Sequence, residues 1–194
     1  MEITPITLEG RHVRLEPLSL AHHPGLCEVG LDPSLWELMP VASTTPEKML
    51  AFIENALKLQ VLGKALPYAT VERASGKVVG STRFMEIDVP NRHVEIGYTW
   101  IARPWQRSAI NTEAKHLMLR HAFEVWKCLR VEFKTDLLND RSQKAILRLG
   151  AKQEGIFRNH MVTESGRIRN SIWFSIIAKE WPDVKAGLEQ KMTR

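Results

Sequence analysis

Period-two alternation of hydrophobic and polar residues is clearest in two segments, His12 to Pro17 and Arg130 to Lys134, and it predicts a strand in each. Gly10 precedes the first of these strands. Glycine, proline and polar turn residues delimit further strand-like segments, as in the Ser75-Gly76-Lys77 turn of a predicted hairpin. These further predicted strands are 67–72, 78–87, 93–101, 152–161 and 168–177.

Apolar residues recur at helical spacing after Thr45, which is suited to the N-cap position, with Pro46 at the first helical position. Gly63 is a natural end for this helix. Its predicted buried stripe is Met49, Leu50, Ile53, Leu57 and Val61. Three more helices are predicted at 21–31, 112–126 and 142–149.

The predicted order of elements is therefore β-α-α-β-β-β-α-β-α-β-β. A three-stranded meander followed by a central helix favours an α/β fold of the α+β kind, with a mixed sheet covered by helices. The order lacks the strict βαβ alternation of a dinucleotide-binding fold, and the chain has no GxGxxG motif.

Length and composition point to a single domain with its own core. The chain has 194 residues, of which 44% are hydrophobic and 25% charged. Such a composition argues against a disordered tail protein, a collagen-like fibre or a coiled coil. The start of the chain, 1–5, lacks the basic and apolar regions of a signal peptide, and no apolar run approaches the length of a membrane span.

The net charge of +5 suits an anionic ligand such as a phosphate-bearing cofactor, and it would also suit RNA or a ribosome surface. No block of like charges decides between these ligands and an ordinary solvated basic face. Cys27 and Cys128 form no CxxC pair, so we expect reduced thiols in a cytoplasmic protein. The paired histidines, 22 with 23 and 116 with 121, lack the i, i+4 spacing of metal ligands, so we expect no metal site.

A candidate anion site lies where the strand 93–101 leads into the helix 112–126. The start of a helix carries unpaired backbone N–H groups and the positive end of the helix dipole. Arg103 and Arg107 add two guanidinium charges suited to phosphate. An ordinary strand–helix connection with exposed arginines is the alternative.

Several motifs occur in order along the chain and carry a resemblance to a known family. Glu95-Ile96-Gly97-Tyr98-Thr99-Trp100 comes first, and the remaining motifs lie in 106–111, 136–142, 149–151 and 154–155. Together they resemble the GNAT acetyltransferase superfamily, in the branch that contains the ribosomal-protein N-terminal acetyltransferases. Segments 8–15 and 176–182 resemble the same branch, so we expect a GNAT-like N-acetyltransferase domain over 8–182 and a polar, helical tail over 183–194.

The resemblance implies acetyl-CoA as cosubstrate, bound along the edge of the third meander strand and in a pyrophosphate loop. The residues implied for the pantetheine arm are Tyr98, Thr99, Trp100 and Ile101, with Asn139 and Arg141 on the neighbouring strand and helix. The implied loop is Gln106, Arg107, Ser108, Ala109, Ile110 and Asn111. In this loop Ala109 replaces the first glycine of the family pattern, and Asn111 replaces its final glycine or alanine. Either the loop keeps right-handed dihedral angles and Ala109 fits, or phosphate binding is weakened, because alanine is strained in the left-handed region.

The implied reaction is direct attack of a primary amine, which needs a group to accept the amine proton. Glu95 is the first candidate base and Glu86 the second. Ser142 is the candidate hydroxyl for protonating the leaving thiolate. Neither Tyr68 nor Tyr98 lies where many members of the family place an acidic tyrosine, so the identity of the acid stays open.

Trp36, Met39 and Phe84 are the residues predicted to shape an apolar acceptor pocket, with ordinary core packing as the alternative. The acceptor is a protein N-terminus or a small amine. Two rivals stay open at this point: a non-catalytic acyl-CoA-binding protein with a decayed site, and a basic ribosome- or RNA-binding module. A homodimer through the last strands is a further expectation.

Overall fold

A computed structural model describes residues 1–192. Eight strands form one sheet in the order β1-β2-β3-β4-β5-β6-β8-β7. Neighbouring strands pair antiparallel except for β5 and β6, which are parallel. The strands are β1 (Leu8–Glu9), β2 (Val13–Pro17), β3 (Ala65–Glu72), β4 (Val78–Asp88), β5 (His93–Ile101), β6 (Arg130–Asp136), β7 (Lys152–Val162) and β8 (Ile168–Ile177).

Within residues 1–192, five α-helices cover the sheet, and side chains cap three of them. Thr45, Ser108 and Asn139 accept a hydrogen bond from the backbone at the start of the second, third and fourth helix. The helices are α1 (His23–Gly30), α2 (Pro46–Val61), α3 (Ala109–Arg120), α4 (Asp140–Leu149) and α5 (Trp181–Met192). A π-helical turn, His121–Val125, extends α3.

The predicted fold class and the predicted order of elements are confirmed, with the short strand β1 and the helix α5 added. The predicted helix 112–126 begins three residues earlier, at Ala109, because Ser108 provides its N-cap. The predicted stripe of α2 is wrong at Leu50 and Val61, which are 36% and 87% exposed. Since α2 packs through a stripe at positions i, i+3, i+4 and i+7, its buried residues are Met49, Phe52, Ile53 and Ala56.

The centre of the sheet is open on one side. Only three residue pairs join β5 and β6 in the described chain, ending at Glu95 opposite Glu132. Beyond that pair, β5 continues along β4 as far as Ile101, while β6 continues along β8. The two strands therefore diverge and leave a gap at their carboxyl ends.

A β-bulge in β5 lies at the start of this gap. Between the pairs Ser81–Trp100 and Arg83–Gly97, β5 has one residue more than β4. Tyr98 takes a left-handed φ of +48° there. The bulge breaks the strand alternation between Ile96 and Tyr98, so that Ile96 packs under α3 to α5 while Tyr98, two residues later, packs on the side of α1 and α2.

The two faces of the sheet carry separate hydrophobic clusters. One packs under α3, α4 and α5, and the other under α1 and α2. Leu188 in α5 is buried in the first cluster, beside α3. Leu188 belongs to the segment 183–194 predicted as a polar helical tail, which is helical as far as Met192; residues 193 and 194 lie outside the described residues.

None of the helices in residues 1–192 has the length and the apolar character needed to cross a bilayer.

Candidate active site

The start of α3 forms an anion-binding terminus. Ser108 accepts a hydrogen bond from the N–H of Ile110, and Ala109 is the first helical residue. Arg107, and not Ala109, takes the left-handed conformation, with φ of +60°. Of the two alternatives for the loop, the structure therefore shows the one in which Ala109 keeps right-handed dihedral angles and fits.

Backbone N–H groups at this terminus can donate hydrogen bonds to an anion. The backbone N–H groups of Arg107 and Ser108 make no hydrogen bond to another described residue. Asn111 lies in the first helical turn, half-buried, and Ile110 is buried under it. The dipole of α3 adds a positive field at the same end.

A cavity of about 490 Å³ opens beside the helix terminus, lined in part by Arg11, Arg73, Ser108, Ala109 and Ile110. Arg11 and Arg73 were not predicted from the sequence, because they flank β2 and β3, far from the loop along the chain. Their guanidinium charge is the right sign for phosphate. The antiparallel pairing of Val13 with Glu72 brings the two arginines together, and the hydrogen bonds from the backbone of 11–13 to Glu113 attach this edge to α3. No local sequence pattern indicates these contacts.

Gln106 joins the two predicted halves of the cofactor site. Its side-chain N–H donates to the carbonyl oxygen of Ile101 at 2.8 Å, and its Oε1 accepts from Arg141 at 3.0 Å. Arg141 lies in the first turn of α4. The loop after β5 and the start of α4 thus lie on the two sides of the gap between β5 and β6, connected by one side chain.

Asn139 and Ser142 occupy the N-terminus of α4. The side-chain oxygen of Asn139 accepts from the backbone N–H of Ser142 at 3.0 Å, so this residue is a helix cap in the structure. Its amide nitrogen makes no hydrogen bond to another described residue. The hydroxyl of Ser142 lies half-buried in the first helical turn.

The predicted pantetheine segment, Tyr98 to Ile101, runs along the gap with side chains that serve the fold. Trp100 is buried against Trp36, with ring centroids 5.3 Å apart. Thr99 lies on the opposite face and accepts from Lys115 at 2.5 Å. These residues can therefore contact a ligand mainly through their backbone N–H and carbonyl groups.

Lys115 connects α3 to the bulge through its hydrogen bond to Thr99. Its ammonium also contacts the hydroxyl of Thr82 at 3.1 Å, and no carboxylate of the described chain pairs with it. Burial lowers the pKa of Lys115 to about 7. The two threonine hydroxyls lie 2.7 Å apart, so they bond to each other as well as to the lysine.

Glu95 lies at the last paired position before the gap and is 3% exposed. Its Oε2 forms an ion pair with Lys134 at 2.9 Å. Burial raises the pKa of Glu95, and the Lys134 ammonium opposes that shift. A carboxylate with a raised pKa can accept a proton from an amine more readily than an exposed one.

Glu86, the second candidate base, is exposed on an irregular part of β4, with φ of +47°. The structure therefore gives the two candidate carboxylates different environments, one buried where the gap begins and one facing solvent.

Phe84 does not belong to the predicted acceptor pocket. Trp36 and Met39 lie in the cluster under α1 and α2, while Phe84 packs on the other face against Trp126, at a ring distance of 4.6 Å. Successive side chains of a strand point to opposite faces of the sheet. Because Arg83 faces α2, its neighbour Phe84 faces the other side.

Arg83 is a buried cation with no anionic partner among the described residues. It is 2% exposed, its guanidinium lies over the rings of Phe52 and Tyr98 at 4.8 and 4.3 Å, and its Nε has no hydrogen-bond partner. Burial lowers its pKa to about 10, so it is charged at neutral pH. A desolvated cation–π contact contributes about 2 kcal/mol, whereas burying an ion costs several kcal/mol in real proteins.

A second cationic group lies across the gap. Asp136 is buried between Arg167, with which it forms a close ion pair, and Arg169 at 3.9 Å. Arg169 is 4% exposed, and its Nε donates to Ser171 at 3.0 Å. The carboxylate of Asp136 thus faces two guanidinium groups.

A bridge connects elements on opposite sides of the gap. Glu164, in the turn between β7 and β8, donates its N–H to Pro40 at 2.9 Å and accepts from the N–H of Ala42 and from Lys48. These partners belong to α2 and to the segment before it, which packs against β3 to β5.

The thiols and histidines contribute no cluster to the gap. Cys27 and Cys128 are free cysteines, and Cys128 is buried. Within residues 1–192, no group of three or more His, Cys, Asp and Glu side chains is arranged to hold a metal ion.

Comparison with known proteins agrees with the geometry. The sequence model described as an acetyltransferase (GNAT) domain matches residues 12–152. The chain belongs to the GNAT acetyltransferase family. The chain is also 25% identical to the uncharacterised N-acetyltransferase p20 of Bacillus licheniformis, over 90% of this chain and 98% of that protein.

Two solved structures show the same GNAT fold. A GCN5-related N-acetyltransferase from Brucella melitensis is 32% identical, with a TM-score of 0.91 over 98% of this chain and 86% of that one. Mycobacterium smegmatis RimJ, solved in complex with CoA-disulfide, is 20% identical, with a TM-score of 0.78 over 92% of this chain and 88% of that one. The latter likeness is one of fold.

GNAT acetyltransferases use acetyl-CoA, and this GNAT domain fits such a ligand. The unpaired N–H groups of Arg107 and Ser108, the cavity with two arginines and the open gap are the features that a phosphate-bearing thioester with a long narrow arm requires.

Proposed function

We propose that this GNAT protein transfers the acetyl group of acetyl-CoA to a primary amine by direct attack, with both substrates bound together. The acceptor is a protein N-terminus or a small amine. The observation that carries the proposal is the position of Glu95, a buried carboxylate at the last strand pair before the gap opens. It lies where an amine entering from the side of α2 meets the gap.

The residues proposed to hold the cosubstrate lie along one path. Gln106, the N–H groups of 107–111 and the dipole of α3 hold the pyrophosphate, with Arg11 and Arg73 beside them. The backbone of 98–101 holds the pantetheine arm, and Asn139 and Arg141 face it from α4. When bound, acetyl-CoA supplies an acetyl group activated as a thioester.

Glu95 is proposed to accept the amine proton at its carboxylate. Its raised pKa and its protected position suit this role, and Lys134 keeps the group oriented. The hydroxyl of Ser142 is proposed to lie near the thioester sulfur and to protonate the leaving thiolate. Neither Cys27 nor Cys128 is required, because direct attack needs no covalent enzyme intermediate.

Two features of the sequence favour the alternative of a non-catalytic acyl-CoA-binding protein: Ala109 in the pyrophosphate loop, and the absence of a tyrosine at the usual position of the acid. The right-handed conformation of Ala109 removes the first of them. We also propose that the acetyltransferase domain spans 8–182 and works in the cytoplasm, where its free thiols stay reduced. We propose as well a homodimer through the last strands, β7 and β8, which is supported by exposed apolar side chains, Phe157 at 53%, Val162 at 71% and Ile168 at 60% exposure.

Two measurements on the full chain test the proposal. Calorimetric titration with acetyl-CoA gives binding, and release of free thiol in the presence of amines gives turnover. We expect saturable binding and amine-dependent release of CoA. Binding without release on small amines and on peptide N-termini would support the non-catalytic alternative, and absence of binding would contradict both.

A further inference from the structure

We infer that the acceptor amine carries a carboxylate, which binds to the buried guanidinium of Arg83 and is attracted by Arg169 across the gap. The inference rests on the proposed acetyl transfer and names its substrate class. It concerns a side chain that the transfer of acetyl to a simple amine does not need.

The guanidinium of Arg83 has no counterion in the described part of the chain. Its guanidinium has aromatic rings on two sides and no carboxylate of the described chain within ion-pair distance. Its Nε is enclosed and forms no hydrogen bond. A buried cation in a folded protein is normally paired, so its fork of N–H donors is suited to an anion from outside the chain.

The charges around the gap also bear on the choice of acceptor. Glu95 is paired with Lys134, and Asp136 forms its close pair with Arg167. Arg167 and Arg169 share the one carboxylate of Asp136, and Arg169 also interacts with Glu95 and Tyr98. With Arg83 over Tyr98, positive charge is in excess on this face of the sheet. The electric field there favours a negative group on the acceptor.

The position of the proposed base limits the shape of such an acceptor. Arg83 pairs with Gly97 across the strands, and Glu95 Oε1 would lie 2.9 Å from a Cβ added at Gly97. The carboxylate of Glu95 and the backbone of Arg83 therefore flank the same residue. A molecule with its amine at Glu95 can place a carboxylate at Arg83 only if it carries both groups close together, as an amino acid or an acidic peptide start does.

The bridge made by Glu164 favours a compact acceptor. It ties the segment before α2 to the turn between β7 and β8, which lie on opposite sides of the gap. A small amino acid fits beneath such a bridge more readily than a folded protein terminus. An amino acid and the start of an acidic peptide both carry the carboxylate, and the experiment below distinguishes between them.

The experiment compares matched acceptors with acetyl-CoA as donor. One arm uses the L-amino acids, each beside its carboxamide. The other uses four-residue peptide amides that begin with Asp or Glu, each beside its Asn or Gln counterpart. We expect kcat/KM to be about 10- to 100-fold higher for the carboxylate member of a pair, the size of a charge-assisted bidentate contact. The acceptor series that shows this preference for a carboxylate, amino acids or acidic peptides, identifies the kind of acceptor.

Variants assign that preference to Arg83. Arg83→Met keeps the packing on Phe52 and Tyr98 but removes the charge, so the preference is expected to fall to within about threefold. Arg83→Lys keeps the charge and loses the fork, and an intermediate preference is expected. The control Arg148→Met changes an exposed arginine at the end of α4 and leaves the preference intact.

A binding measurement separates this inference from the proposed function. In the presence of CoA, N-acetyl-L-amino acids are expected to raise the melting temperature of the wild type more than their amides do, and Arg83→Met removes that difference. Acetylation of amines with no carboxylate preference overturns the inference and leaves the proposed function standing. Carboxylate-dependent binding without turnover on any amine overturns the proposed function, and the inference about its acceptor falls with it.

Discussion

Gln106 accepts a hydrogen bond from Arg141, a residue 35 positions further along the chain, while its own amide nitrogen donates to Ile101. This one side chain connects β5, the loop before α3 and the start of α4. The two edges of the proposed cosubstrate gap are therefore held at a defined distance before any ligand binds, which reduces the conformational entropy lost on binding.

Gln106→Met is expected to weaken acetyl-CoA binding, because it removes both hydrogen bonds while nearly conserving side-chain volume. About 1 kcal/mol of lost interaction corresponds to a rise in Kd of about fivefold. Calorimetric titration measures the change. Gln153→Met, at an exposed position of β7, is the control and should bind acetyl-CoA like the wild type. An unchanged Kd in Gln106→Met would show that the bridge does not organise the site.

Restoring the family glycine at Ala109 is expected to bring no gain in affinity. Ala109 is already right-handed, so Ala109→Gly should leave the Kd for acetyl-CoA within about twofold and lower the free energy of unfolding by about 0.5 kcal/mol. Arg107→Gly should instead relieve about 1 kcal/mol of left-handed strain and raise the melting temperature by about 2–4 °C. A tighter Kd in Ala109→Gly would contradict the assignment of strain to Arg107.

Glu95→Gln is expected to lower kcat by about 100-fold or more, since it removes the proposed proton acceptor at nearly constant shape. In the wild type, kcat should rise with pH through a pKa above the ordinary carboxyl value, because burial raises the pKa of Glu95. The variant should lack this limb of the profile. Glu86→Gln, on the exposed part of β4, is the matched control and should retain both activity and profile.

Lys115 should make stability depend on pH in a definite direction. Its pKa is lowered to about 7 in the folded state, so the unfolded chain binds its proton more tightly. The contribution of Lys115 to stability is therefore full above its ordinary pKa of 10.5 and is lost as the pH falls toward 7.

Denaturant unfolding of Lys115→Met measures this effect. The free energy of unfolding of the wild type, minus that of the variant, should rise between pH 7 and pH 10, by up to about 1.4 kcal/mol per pH unit. Thr82 and Thr99 remain bonded to each other in the variant. Lys144→Met, at an exposed position of α4, should show no such difference, and a flat difference for Lys115→Met would mean that the amine is solvated.

Glu113 in α3 should be among the most sensitive positions for stability. Its buried carboxylate accepts the N–H groups of Arg11, His12 and Val13 at 2.7–2.8 Å. Glu113→Ala leaves three donors unpaired, and a loss of about 3 kcal/mol or more in the free energy of unfolding is expected.

Thermal or denaturant unfolding checks this prediction. Gly10→Ala offers an independent test, because a Cβ there would overlap the carboxylate of Glu113, which its three bonds hold in place. The control Glu54→Ala, on the exposed side of α2, should change stability by less than about 0.5 kcal/mol. Equal effects at the two glutamates would contradict the proposed anchoring of β2.

Local signals were sufficient for much of the fold. Thr45 and Pro46 start α2 as predicted, and the strands 93–101 and 168–177 have the predicted bounds. Such features depend on neighbouring residues, which is why they can be predicted from sequence. The stripe of α2 was predicted less well, since Phe52 and Leu50 are both apolar and only packing on β3 selects between them.

The sequence by itself determined the order of elements, the N-cap of α2 and the motifs that carry the family. The tertiary structure alone decided which side chains meet at the gap. Arg83 faces α2 while Phe84 faces away, Lys134 reaches Glu95, and Arg11 and Arg73 come to the start of α3. The physical reason is strand register: pairings between distant segments are set by the packing of the whole sheet, and a shift of one residue would exchange the two faces.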